Sequence, residues 1–253
     1  TLVGGPGLDI LSEQRDADFT LTDASLVIGG ETDGLSGIEQ AELTGGVSNN
    51  VLNASGFSGT VVLRGAGGED RLIGTANADV LEGGQGTDTL EGGAGDDTYV
   101  FNTDEDLGTD EIVETTGGGV DTLDFSGTTT QQITVNLGEV LVLDAPFTPT
   151  QVVNPNLSLK LGADTIENVR GGQGDDRLVG GTQANVLEGL SGNDALTGGR
   201  GNDRLDGGAG ADVDRVVEVR DTDFVLTDLL LTLGGGETDT LAGIEAATLT
   251  GGP

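Results

Sequence analysis

From Gly65 onward, apolar and polar residues recur every nine positions. GAGGEDRLI, GTANADVLE, GGQGTDTLE and GGAGDDTYV run without a gap to Val100. From Gly171 the pattern resumes as GGQGDDRLV, GGTQANVLE, GLSGNDALT, GGRGNDRLD and GGAGADVDR, ending at Arg215. The first place is Gly in all nine units, and the sixth is Asp in all but one, where Asn185 stands. The eighth place is large and apolar (Leu72, Leu81, Leu90, Tyr99, Leu178, Leu187, Leu196 and Leu205) until Asp214 breaks it. The last three residues of a unit alternate polar, apolar, polar, which predicts a short strand that buries only its middle side chain. The glycines predict a tight turn with positive φ and close backbone approach. One unit is thus a turn and a strand, and two units make one coil of eighteen residues. Stacked coils pair their strands in parallel, line up the leucines inside and bring the sixth-place carboxylates to two outer edges.

The chain divides on this pattern. Residues 1–64 read as irregular solenoid coils holding one isolated unit, Gly4–Ser12 (GGPGLDILS). Residues 65–100 and 171–215 are the two regular blocks, and 101–170 are irregular β coils with a surface excursion. Strand-like runs occur at Val61–Leu63, Ile133–Leu137 and Val140–Leu143, while Ala145-Pro-Phe-Thr-Pro149 and Asn154-Pro155 mark the excursion, because Pro breaks a ladder. Residues 216–253 copy the start of the chain. Arg15-Asp-Ala-Asp-Phe-Thr-Leu-Thr-Asp23 returns as Arg220-Asp-Thr-Asp-Phe-Val-Leu-Thr-Asp228, and Gly29–Gly46 returns as Gly235–Gly252 with 14 of 18 positions identical. A long period of about 205 residues therefore encloses the short one, as in one register of a tandem array.

Composition sharpens this reading. There are 47 Gly among 253 residues, 44 Asp+Glu against 10 Lys+Arg, and a formal net charge of −34. His, Cys, Met and Trp are absent, which excludes Ser-His-Asp and Cys-His catalysis, His- or Cys-ligated zinc, disulfides and iron–sulfur clusters. The charge argues against nucleic acid and anionic membrane as partners and for cations. No run is apolar enough for a membrane span, and the N-terminus shows no signal-peptide pattern. Carboxylates stacked at the strand spacing of ~4.8 Å repel by about 3.5 kcal/mol per pair at an effective dielectric of 20. Folding is therefore expected to depend on a cation that neutralises them.

The GG-x-G-x-D-x-U-x pattern resembles the calcium-binding nonapeptide repeats of RTX (repeats-in-toxin) proteins. The resemblance implies an all-β fold, a right-handed parallel β-roll or β-helix solenoid with several Ca2+ ions in its glycine-rich turns. It implies side-chain ligands at Asp70, Asp79, Asp88 and Asp97 in the first block, paired Asp70 with Asp88 and Asp79 with Asp97. In the second block it implies Asp176, Asp194 and Asp212 on one edge, and Asn185 with Asp203 on the other. The carbonyls of Gly83, Gln85, Thr87, Gly92, Gly198 and Arg200 are the backbone ligands it implies. Type I secretion, folding in external calcium and an extracellular or cell-surface location on a Gram-negative bacterium follow from the same resemblance.

Simpler readings compete with these. Asp beside Gly is a common turn former, but a turn former would drift in position and mix with Asn and Ser, and this one does not. Asn102–Gly108 departs from an EF-hand loop, with its Gly one place late and Val113 where a Glu is needed, and reads as a solvated acidic loop. Arg71, Arg177 and Arg204 read as surface residues that relieve carboxylate crowding. No GxSxG or HExxH occurs, and the carboxylates are spread by a repeat rather than gathered in a cleft, so the chain reads as a non-enzyme. The expected function is a calcium-binding extracellular structural module: a repeat of an adhesin, surface-layer or filament protein. Neighbouring copies of the repeat, or cell-surface glycans, are its expected partners. The alternative is a calcium-dependent folding or secretion module of a larger secreted protease, lipase or toxin.

Overall fold

A computed structural model of the chain describes residues 1–114, 118–138, 150–162 and 164–251. The runs Val140–Leu143 and Ala145–Pro149 and the end of the long repeat at Gly252 lie outside the described residues. The described residues hold 27 strands and no helix, and the strands of the nonapeptides pair in parallel, giving an all-β solenoid of the β-roll type. The chain forms two compact units. The first comprises Thr1–Phe101, Glu105–Asp121 and Asn156–Lys160, and the second comprises Asn102–Asp104, Thr122–Pro155 and Leu161–Pro253.

In the first unit the eighth-place side chains stack across coils as the spacing predicts. Leu52, Leu72, Leu90 and Ile112 form one row, and Leu43, Leu63, Leu81 and Tyr99 another. In the second unit the rows are Leu123, Val169, Leu187, Leu205 and Leu241, and Val135, Leu178, Leu196 and Val216. The nonapeptide leucines and Tyr99 are fully buried. Each strand contributes little core alone, so stability comes from stacking.

The glycines divide their work. The second and fourth places take left-handed backbone in the first block's glycine pairs, as at Gly84 (φ +96°) and Gly86 (φ +144°), but not at Gly172 and Gly174. The first place needs no such angle; there a Cβ would strike the carboxylate of the same unit's aspartate, as at Gly74, where it would sit 2.7 Å from Asp79 Oδ2.

The long period is structural as well as sequential. Phe19–Thr22, Ser25–Ile28 and Glu31–Ser36 make an antiparallel excursion from the solenoid. Phe224–Leu226, Leu230–Leu233 and Thr238–Ala242 repeat it, with Phe19 opposite Ile28 in one copy and Phe224 opposite Leu233 in the other. These segments, read from sequence as irregular coils, are thus antiparallel. Their apolar residues alternate over only two or three positions per strand, too few to show strand direction. Asn154 is not at a surface excursion either: it is buried and donates from Nδ2 to Thr103 Oγ1 at 2.7 Å, leaving Pro155 exposed.

Candidate metal centre

Each sixth-place aspartate of the two blocks, Asp212 apart, has one job. Its Oδ1 accepts the backbone N–H of the equivalent residue one coil earlier. Asn50 donates to Asp70 (2.7 Å), Asp70 to Asp88 (2.8 Å) and Asp88 to Asp110 (2.9 Å). On the other edge Val61 donates to Asp79 (2.8 Å), Asp79 to Asp97 (2.8 Å) and Asp97 to Asp121 (2.9 Å). The second unit repeats this from Ile133 through Asp176 and Asp194 to Asp214, and from Asn185 through Asp203 to Asp239.

The second carboxylate oxygen is different. Oδ2 of Asp70, Asp88, Asp97, Asp110, Asp194, Asp203 and Asp239 is buried with no hydrogen-bond partner. A buried charged oxygen without a partner is costly, and its repetition at one register position marks a place for a ligand. The surroundings fit a hard cation. A Cβ on Gly65 would fall against Asp70 Oδ2 and 2.5 Å from the Gly83 carbonyl, and one on Gly171 against Asp176 Oδ2 and 2.8 Å from the Gly189 carbonyl. The cradle is therefore walled by a carboxylate from one coil and a glycine carbonyl from the next. Among the sequence-derived carbonyls, Gly92 and Gly198 hold the same relation to Gly74 and Gly180. Such an all-oxygen set suits calcium. Asp79 and Asp176 differ in that Oδ2 accepts the N–H of Thr75 or Gly172 at 2.6 Å.

Burial dominates the acidity of these groups. It pushes Asp70 and Asp176 up to about 6, against the lowering effect of the N–H groups of Asn50 and Ile133. Burial, then the charges of adjacent rungs, pushes Asp97 and Asp194 to about 7; Asp203 rises to about 7 and Asp110 to about 8 for the same reasons. Asp79, Asp88, Asp214 and Asp239 are also raised, first by burial. Without a cation, Asp97, Asp110, Asp194 and Asp203 are the rungs that hold protons into the neutral range.

Two placements differ from the sequence reading. Asp212 leaves the ladder: it is half-buried and its Oδ2 accepts the Gly192 N–H at 2.8 Å. Asp214 takes its rung, and Val216 takes the leucine place. The last unit carries two extra residues, so its register offset from the coil before is 20 rather than 18. The carboxylates also differ from the expected outer-edge position, since the hydrogen bonds they accept from the coil before draw them inward until they are buried.

Sequence reasoning missed Asp110, Asp121, Asp214 and Asp239, because loops stretch their spacing from the preceding rung to 22, 24, 20 and 36 residues. It also missed Gly162…Glu167-Asn-Val169, a unit with Glu at the sixth place and Val169 buried at the eighth. The isolated N-terminal unit keeps the geometry, with Gly5 N–H bonded to Asp9 Oδ2 (2.8 Å) and Asp9 N–H to Glu39 Oε2 (3.0 Å). Asp214 N–H bonds Glu245 Oε2 (2.9 Å) in the same way one long period later.

Asp104, in the EF-hand-like stretch, is bonded by the hydroxyls and N–H groups of Thr129 and Thr130, which hold its pKa well below the ordinary value. The arginines pair with ninth-place acids instead of the ladder. Arg71 meets Glu91 at 2.8 Å, and Arg204 meets Glu188 (3.0 Å) and Asp206 (2.6 Å), while Arg177 is exposed. Burial alone would raise Glu188, but the bonds from Arg170 and Arg204 outweigh it and hold it low.

Comparison with known proteins agrees with this geometry. Residues 64–99, 161–196 and 179–214 match the RTX calcium-binding nonapeptide repeat in its four-copy form. The chain carries RTX calcium-binding repeats, folded as a β-roll. Metallopeptidase AprA of Pseudomonas marginalis is 44% identical over 72 residues, 28% of this chain and 14% of that protein. Metalloprotease AprA of Pseudomonas entomophila (strain L48) is also 44% identical over 72 residues, 28% of this chain and 13% of that protein. Serralysin of Photorhabdus laumondii subsp. laumondii is 44% identical over 71 residues, with the same shares of 28% and 13%. The chain thus spans a small part of the length of these relatives, within the repeat region. No helix of the described residues is long and apolar enough to cross a membrane.

Proposed function

We propose that the chain is a calcium-dependent structural module of a secreted or cell-surface protein from a Gram-negative bacterium. The observation that carries this is the row of buried, partnerless Oδ2 atoms, which at Asp70 and Asp194 lie beside the glycine carbonyls of Gly83 and Gly207. In this reading the ions bind at Asp70, Asp79, Asp88 and Asp97, and at Asp176, Asn185, Asp194 and Asp203, with Asp214 in the place first given to Asp212. Carbonyls of Gly83, Gln85, Thr87, Gly92, Gly198 and Arg200 complete the turns. Asn185 weakens its site, because it is neutral, its Nδ2 donates to the Glu167 carbonyl and its Oδ1 already accepts the Gly181 N–H.

The duplicated excursion supports an array of long repeats, as in an adhesin, surface layer or filament. In the first copy Leu21 is fully buried and its strand pairs in parallel with Val51–Gly56. In the second copy the equivalent Leu226 is 43% exposed, and among the described residues its strand pairs only with Leu230–Leu233. A further coil like Val51–Gly56 is the occupant this reading supplies. A second reading, a folding module of a larger secreted enzyme whose catalytic domain lies elsewhere, is favoured by the likeness to the metalloprotease repeats. Flanking sequence decides between them: more copies of the RDxDFxLTD segment support the array, and a HExxH domain supports the enzyme.

Calcium-dependent folding is tested by circular dichroism in excess EGTA followed by a calcium titration. The β spectrum should appear between micromolar and millimolar calcium, since extracellular modules bind at ~10⁻⁴–10⁻³ M. An unchanged spectrum and melting temperature in EGTA would show that the leucine rows suffice.

A further inference from the structure

We propose that Asp97, Glu114 and Asp121 form a further divalent-cation site, of the calcium type, built with a residue from outside the nonapeptides. One carboxylate oxygen from each lies within 4.8 Å of the others. Oxygens bound to one calcium at ~2.3–2.6 Å are at most about 5 Å apart, so one ion can reach all three as they stand. Asp97 is 1% exposed and its Oδ2 has no hydrogen-bond partner.

The regular turn explains why this one differs. A Cβ on Gly74 would meet Asp79 Oδ2 and the next coil's Gly92 carbonyl, whereas one on Gly92 would meet Asp97 Oδ2 and the Tyr99 hydroxyl. Where the turns at Gly65, Gly74, Gly171 and Gly189 offer a glycine carbonyl, this one offers Tyr99 and, through it, Glu114. The hydroxyl accepts the Gly92 N–H at 2.9 Å and donates to Glu114 Oε1. The next rung after Asp97 is Asp121, 24 residues on rather than 18, and the longer coil is what lodges Glu114 beside the row. Tyr99 is then a positioning residue, which accounts for a tyrosine in a leucine place. The proposal rests on the calcium reading of the turns, because it shares Asp97 with them.

Tyr99 is the only tyrosine and there is no Trp, so it is the one sensitiser of its kind in the chain, and Glu114→Gln separates this site from the neighbouring turns. Terbium(III) takes oxygen sites of calcium's kind and emits when a nearby tyrosine is excited. Titration of the full chain with terbium should give emission that Tyr99→Phe abolishes. Glu114→Gln should move its midpoint at least tenfold, because even outer partners of a metal cost 10–100-fold when lost. The calcium-induced β spectrum of Glu114→Gln should stay, since Glu114 lies in no nonapeptide. An unshifted midpoint in folded Glu114→Gln, or no emission from the wild type, overturns the proposal. If Glu114→Gln fails to fold, Glu114→Asp decides by the same shift. Failure of the calcium reading itself would look different: the wild-type β spectrum would not respond to calcium at all.

Discussion

At the scale of single residues, a first-place glycine and a sixth-place aspartate act as one device. The glycine leaves the space and the carboxylate fills it, with Oδ1 bonded to the coil before and Oδ2 free to ligate. Gly83→Ala would push a Cβ into Asp88 and is expected to cost about 1–3 kcal/mol as overpacking, together with weaker calcium binding. Gly5→Ala, where nothing lies within 4 Å, should change neither; urea denaturation in calcium compares the two. Leu187 is fully buried in its row, so Leu187→Ala should cost about 2–5 kcal/mol by the same measurement, and a loss below 1 kcal/mol would mean the row is not packed as described.

At the scale of elements, legibility in the sequence followed regularity. Where units follow without insertion, strand, buried leucine and ladder aspartate were all readable, because a fixed nine-residue period ties each place to one environment. Where loops enter, the period no longer counts coils. Asp110 and Asp239 carry the same hydrogen bonds as Asp88 and Asp203 yet sit in segments whose spacing hides them. The last unit shows the limit within a block: Asp212 keeps the period, but Asp214 keeps the structure. The inward turn of the carboxylates was also not readable, since it depends on N–H groups of the preceding coil. Asp214→Asn should therefore weaken calcium-dependent folding more than Asp212→Asn, measured as the calcium midpoint of the β spectrum; equal shifts, or a larger one for Asp212, would restore the unbroken period.

At the scale of the whole molecule, the net charge of −34 and the buried rows make stability a function of pH and cation together. Asp70, Asp97, Asp110, Asp176, Asp194 and Asp203 of the ladder have folded-state values raised from 3.8 to about 6–8, chiefly by burial. Asp79 and Asp88 are raised in the same direction. A group raised in the folded state supports folding below its unfolded value and withdraws that support as pH climbs through the folded value. Metal-stripped protein should thus melt at falling temperature as pH goes from about 4 to about 8. With calcium the trend should reverse, because the ion binds the ionised form and displaces the proton. A flat profile without metal would mean the carboxylates are not desolvated.

The most direct measurement is a crystal structure in millimolar calcium, with anomalous scattering to identify the ions. The account predicts cations at ~2.3–2.6 Å from Oδ2 of Asp70, Asp88, Asp194 and Asp203, with the Gly83 carbonyl beside Asp70 and the Gly207 carbonyl beside Asp194. Turns without ions in such crystals, with those Oδ2 atoms protonated and hydrogen-bonded, would contradict it.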